Sequence, residues 1–221
     1  MPNLRSYSCF ALLCLVLLSG CSSTPDILPF TASGYLADRG AVRIWRKNGP
    51  ARVHLQTRYT PFNGEAAETT DYFWQDDKLI SAARRGAAAA ASQPDDMTLR
   101  FDQDGSLSFM QRQLAGRREA VDPDTIELYK FDAQRMLAQS NALLSGRVVL
   151  KQGQWLGGQR VKTCEGVQLS PAFDDYAWRM LMQQRSGAPL LVSWLEGPQG
   201  TQLLRAAPGE TCDTQPKEAD F

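Results

Sequence analysis

Between Phe30 and Leu114, apolar and polar side chains alternate in one short run after another, the period of a half-buried β-strand. Val42 and Ile44 alternate with Arg43 and Trp45, and Val53, Leu55, Thr57 and Tyr59 with His54, Gln56 and Arg58. Tyr72 and Trp74 flank Phe73 in the same way. Leu99 and Phe101 lead into Asp102-Gln103-Asp104-Gly105 and on to Leu107 and Phe109, so the tetrad reads as a hairpin turn. Asn48-Gly49-Pro50 and Pro61-Phe62-Asn63-Gly64 are further turns. Strands joined this closely predict an antiparallel meander of about six to eight strands. The pattern leaves open whether the sheet stays flat-edged or curls into a partial barrel.

After the meander the period changes. Asp122 suits an N-cap and Pro123 a first helical turn. Ile126, Tyr129, Ala133, Met136, Leu137, Leu143 and Leu144 then recur at helical spacing until Gly146, which predicts a helix of about 22 residues laid across the sheet. Residues 147–151 and 154–156 read as strands around Gly153. A second helix is expected from Ser170-Pro171, with Asp174 and Asp175 in its first turn, a stripe of Phe173, Ala177, Met180 and Leu181, and Gly187 at its end. Residues 189–195 and 201–206 pair across Gly197-Pro198-Gln199-Gly200. The five-alanine run at 87–91 is too short to nucleate a helix and reads as a low-complexity loop. The fold class is therefore α+β: a meander packed by one long helix, with a second helix and a C-terminal hairpin.

The N-terminus carries a different signal. Residues 9–18 form an apolar run after Arg5, far shorter than the roughly 20 residues that span a bilayer. Leu18-Ser19-Gly20-Cys21 follows and resembles the lipobox of bacterial lipoproteins. That resemblance implies cleavage before Cys21, lipid on its sulfur and amine, and, with Ser22 rather than Asp next, sorting to the inner leaflet of the outer membrane. The expected organisation is a signal at 1–20, anchor and tether at 21–29, one domain at 30–213 and a tail at 214–221. Within the domain, 30–116 is the meander, 117–145 the helix and 146–213 the strand–helix–hairpin part. Extended, the tether from Ser22 to Pro29 reaches roughly 28 Å at most, so the body would ride close to the membrane.

Cleavage also sorts the five cysteines. Cys9 and Cys14 leave with the signal and Cys21 takes lipid, so Cys164 and Cys212 remain as an even pair in an oxidising compartment, where a disulfide is expected. Loss of Arg5 leaves the 24 acidic residues one ahead of the basic ones. A balanced chain offers no general field for nucleic acid.

No reaction is written in the chain. The single histidine, His54, lies on the polar side of a strand and reads as a solvated residue. No nucleophile elbow, Walker loop or dinucleotide fingerprint accompanies it, no cofactor is called for, and two Cys with one distant His lack metal-ligand spacing. Asp76-Asp77, Asp95-Asp96 and Asp174-Asp175 are pairs of carboxylates that glycoside hydrolysis could use, but each has a turn or helix-start context. The most suggestive surface is the outer face of the first strands, where Arg43, Trp45 and Lys47 project together with His54 and Arg58 nearby. A tryptophan among cations there would stack on a sugar or meet an acidic partner. The alternative is that the long helix covers Trp45 and the cations fringe it.

Residues 30–40 with Val42-Arg43-Ile44-Trp45-Arg46-Lys47 are similar to the YjaH-type lipoproteins of enteric and vibrio bacteria. So are residues 107–112, 146–150, Thr163-Cys164-Glu165-Gly166 and 192–196. The resemblance implies one family-wide domain, a lipid anchor and a Gram-negative envelope. It brings no catalytic or binding residues. The function expected is a non-enzymatic binding or accessory module, anchored in the membrane by its lipid and meeting another envelope protein or ligand. A peptidoglycan- or lipid-directed hydrolase using a carboxylate pair, and an enzyme inhibitor, are the alternatives.

Overall fold

The alternating runs fold as eight antiparallel strands, each paired with the next in sequence. They are β1 (Phe30–Ala37), β2 (Gly40–Asn48), β3 (Arg52–Pro61), β4 (Glu68–Gln75), β5 (Lys78–Gly86), β6 (Asp95–Phe101), β7 (Leu107–Leu114) and β8 (Arg117–Glu119). The computed structural model describes residues 28–86, 94–184 and 188–221. The signal, Cys21 and most of the tether, the alanine run at 87–91 and Gly187 lie outside the described residues. The sheet is open, with β1 and β8 at its edges.

Helix α1 (Pro123–Ser145) follows. The Asp122 carboxylate accepts from the Thr125 N–H at 2.7 Å, as its N-cap role predicts. At the other end Gly146 is still helical and the left-handed residue is Arg147, with φ of 54°. The helix crosses the strands. Ile126 and Tyr129 pack on Met97, Leu99 and Phe101 of β6, and Ala133 and Met136 pack on Val42, Ile44, Leu55, Tyr72 and Trp74. Each large apolar side chain fully buried here contributes about 1.5–3 kcal/mol.

The rest of the chain builds a second sheet. Its strands are β9 (Val149–Gly157), β10 (Arg160–Thr163), β11 (Gln168–Leu169), β12 (Leu190–Gly197) and β13 (Gly200–Pro208), in the order β11-β10-β9-β12-β13. Strand β9 runs through Gly153 unbroken, against the sequence reading of two strands around it. A Cβ at Gly153 would sit 2.5 Å from the Lys162 carbonyl oxygen, so the glycine marks a close approach of β10 and not a turn.

Helix α2 (Asp175–Gln183) starts later than Ser170-Pro171, because Asp174 is its N-cap, accepting from the Ala177 N–H at 2.7 Å. It lies on the second sheet through Phe173, Ala177, Trp178 and Leu181, against Val192 and Trp194. Trp178 replaces Met180 in the expected stripe; Met180 is 40 % exposed.

The other face of the second sheet packs on the first. Ala41 and Trp45 of β2 meet Leu150, Leu195 and Leu204. Locally the layers run α1, first sheet, second sheet, α2. Cys164 and Cys212 are joined, with Cα atoms 5.3 Å apart, which fixes the tail after β13 to the segment following β10.

Candidate functional site

Strand alternation puts Arg43, Trp45 and Lys47 on one face of β2 and His54, Gln56 and Arg58 on the same face of β3, as their pairing requires. This is the face that the second sheet covers. Arg43 and Trp45 are each only 1 % exposed, so the expected cation-and-tryptophan surface is an interior. Nor does the long helix cover Trp45, because α1 packs on the opposite face, against Val42 and Ile44. The five residues of that surface fall into separate settings.

Lys47 donates to the carbonyl oxygens of Glu218 at 3.2 Å and Phe221 at 3.0 Å. His54 is not solvated: its side chain is 13 % exposed. The ring lies between Phe73, with centroids 3.8 Å apart, and Phe221, at 4.4 Å. Its Nε2 meets Asp71 Oδ1 at 2.9 Å, while its Nδ1 is buried without a partner among the described residues. A histidine on a carboxylate is half of a catalytic triad, but no hydroxyl or thiol is hydrogen-bonded to this ring among the described residues.

Asp71 also accepts from Gln56 Nε2 at 2.9 Å and pairs with Arg85. Burial works to raise its pKa, but the hydrogen bonds from His54 and Gln56 and the charge of Arg85 outweigh it, so the net shift is below the ordinary 3.8. A depressed carboxylate stabilises the fold above its ordinary pKa and loses that contribution as pH falls through the folded value. Wild type should therefore lose urea resistance below about pH 3.8 in a limb that Asp71→Asn flattens. At neutral pH the same variant should cost about 1–3 kcal/mol, since it leaves buried donors unmatched. Parallel acid limbs in the two proteins would show that Asp71 carries no such linkage.

Arg43 and Arg58 stand directly opposite across β2 and β3, an arrangement that costs energy between like charges. Arg205 of β13 joins them through a β-bulge. Ser193 pairs with Arg205 and Trp194 with Leu203, which leaves Leu204 as the extra residue. Leu204 packs into the inter-sheet core, and Arg205, opposite Ser193, faces the same way. Arg43 Nη1 donates to Gln152 Oε1 at 3.2 Å, and Ser193 Oγ donates to that same oxygen at 3.3 Å.

Among the described residues, one carboxylate answers the three guanidinium groups. Glu210 takes both of its oxygens to Arg205, at 2.7 and 2.8 Å. The Arg205 hydrogen bonds hold Glu210 below its usual range against the effect of burial, with Arg43 and Arg58 adding to the pull. Burial first, then the charges of Arg205 and Arg58, push Arg43 down to about 9, so it stays protonated at neutral pH. Its Nε and Nη2, together with Arg58 Nε and Thr60 Oγ1, are buried with no hydrogen-bond partner among the described residues.

A groove of about 910 Å³ lies beside them, between the first sheet and the α2–β13 layer; Arg43 and Arg58 are one strand step behind its lining residues Ala41 and Thr60. Thr60 and Arg205 line it, and Leu36, Phe62, Tyr176 and Met180 form an apolar wall, with Phe62 and Tyr176 61 % and 64 % exposed.

The acidic pairs have structural work. Asp76 and Asp77 take positive φ, 49° and 61°, in the two-residue turn between β4 and β5. Asp95 pairs with Arg84 and Arg112, and Asp174 caps α2. Arg205, Glu210, Gln152 and Asp71 did not enter the sequence reading. An aspartate inside an aromatic strand was the one local signal for Asp71.

Comparison with known proteins adds relatives. The DUF1481 family, described as "Protein of unknown function", matches residues 32–217. The chain is 40 % identical over 209 residues to the "Uncharacterized protein YjaH" of Escherichia coli (strain K12), covering 93 % of this chain and 89 % of that protein. Both findings agree with the resemblance read from the sequence. No solved structure matches the chain.

Proposed function

Because this chain belongs to the DUF1481 family, whose description assigns no activity, we propose from its own residues that it is a lipid-anchored envelope protein that works by binding. Its binding element is the groove between the two sheets, and its occupant is an envelope component that presents an apolar body ending in an anionic group. The observation that carries this reading is the groove itself, lined by exposed apolar side chains and by Arg205, with the unmatched Arg43 and Arg58 one strand step behind its lining residues Ala41 and Thr60. Its volume falls in the range of about 300–1,000 Å³ that ligand sites occupy. Exposed apolar side chains gathered around a concavity mark sites of association more than chance scatter does. The likeness of Leu18-Ser19-Gly20-Cys21 to a lipobox, with Ser22 next and a short tether after it, supports the envelope part of this reading.

A photo-cross-linking side chain at position 176, in intact cells, tests the reading. The expected result is one reproducible adduct from position 176 and none from position 127, which lies exposed on α1. The adduct should depend on the anchor: Cys21→Ser is expected to abolish both acyl labelling and the adduct. Equal labelling from both positions, or acyl label retained by Cys21→Ser, would overturn the corresponding half of the proposal.

A further inference from the structure

We infer that the cluster of Arg43, Arg58 and Arg205, which adjoins the groove at Ala41, Thr60 and Arg205, is a binding site for a phosphate group carried as a monoester or free. The first ground is charge. Among the described residues, three guanidinium groups share the single carboxylate of Glu210, which Arg205 already holds through both oxygens. Two positive charges are left without a counter-charge among the described residues, one of them on a side chain 1 % exposed. A buried guanidinium kept unmatched is costly, and an ion pair built only for the fold would supply a carboxylate to each. A phosphomonoester carries about −1.5 to −2 near neutral pH, which matches that excess.

The second ground is geometry. The unpartnered atoms are donors: Arg43 Nε and Nη2 and Arg58 Nε, with the Thr60 hydroxyl beside them. Guanidinium forks present paired N–H groups that suit phosphate oxygens. Ala41 and Thr60, one strand step along from Arg43 and Arg58 on the same face, line the groove, as does Arg205. The cluster therefore adjoins the groove through Arg205 and lies one strand step behind Ala41 and Thr60. Glu65 and Asp174 also line it, and the Asp174 carboxylate is occupied by the first turn of α2. Those carboxylates disfavour an anion near them, so the charged group of a ligand goes inward to the arginines and its apolar part stays against Phe62, Tyr176 and Met180.

The inference rests on reading the groove as the binding element, and its test is separate. Phenyl phosphate and inorganic phosphate are titrated calorimetrically into the full chain in non-ionic micelles at constant ionic strength. Saturable binding at one site is expected, weakened about tenfold or more by Arg58→Gln and by Arg43→Met. Arg100→Gln, at an exposed position of β6, should leave it unchanged. Tighter binding of the phenyl ester assigns the site to an esterified phosphate, and equal binding to the free ion. Arg43→Met removes a buried charge at similar volume, so the ligand-free melting temperature should hold or rise. If that variant fails to fold, the partly exposed Arg58 decides through Arg58→Gln. No saturable binding by wild type, or an unchanged constant in folded Arg58→Gln, overturns the inference. A cross-link from position 176 without phosphate binding sinks this site alone; phosphate binding without a cross-link sinks the envelope partner alone.

Discussion

Trp45→Ala is expected to lower the free energy of unfolding by about 3–5 kcal/mol, read as a shift in the urea midpoint at unchanged slope. The whole fold of a protein this size is held by about 5–15 kcal/mol, so the variant should be close to unfolding at 37 °C. The reason is position. Trp45 fills the space between the two sheets, among Ala41, Leu150, Leu195 and Leu204, and a methyl group there leaves a cavity that two sheets pinned by their own hydrogen bonds cannot close. Its indole N–H has no partner among the described residues, so the loss is one of packing and not of a hydrogen bond. The measurement also decides between two views of this face. On a solvent-facing or ligand-stacking surface, Trp45→Ala would cost less than about 1 kcal/mol. A value that small would mean that the second sheet does not cover β2.

Removing the disulfide should be nearly as costly. Cys164→Ser with Cys212→Ser opens a cross-link between residues 48 apart. The chain-entropy account gives roughly 4 kcal/mol for a loop of that length. The loss should be local as well as global. After Cys212 the tail crosses the face that carries His54: Gln215 Oε1 accepts from Gln152 at 3.3 Å, and Phe221 packs on Phe30 and His54. Freed of its covalent tie, that tail should exchange its amide protons faster than β12 and β13 do, as hydrogen exchange would record. An unchanged urea midpoint in the double variant, with the wild-type bridge confirmed as intact, would refute the stabilising role.

Both predictions depend on features that the sequence showed to different degrees. The bridge was legible, because reading Leu18-Ser19-Gly20-Cys21 as a lipobox sets Cys9, Cys14 and Cys21 aside and leaves two cysteines. The meander was legible from alternation, and α1 from Asp122, Pro123 and the apolar spacing. The error over Trp45 has a plain cause. Alternation reports that Trp45 and Val42 lie on opposite faces of a strand but does not say that both faces are covered. A tryptophan among arginines and a lysine has the composition of a polar face, and only the second sheet makes it a core. Gly153 misled in the same way, because glycine marks both turns and close backbone approaches.

The candidate site was less legible than the fold. Arg43 and Arg58 were noticed, but their partners come from more than 100 residues away: Gln152 at the start of the second sheet and Arg205 with Glu210 at its far edge. Arg205 faces inward only because a bulge at Leu204 shifts the register, and a one-residue slip turns a strand's side chains to the other face.

The sequence by itself determined the cysteine pairing, the order of strands and helices, and which side chains share each face of a strand. Those are local properties, set by motif, parity and spacing along the chain. The tertiary structure decided that the chain closes into two sheets, that the face carrying Arg43 and Trp45 is interior, and that three arginines meet around the Glu210 carboxylate beside a groove. Such a meeting depends on how two sheets cross. That crossing is fixed by packing between segments far apart in the chain, which no local pattern encodes.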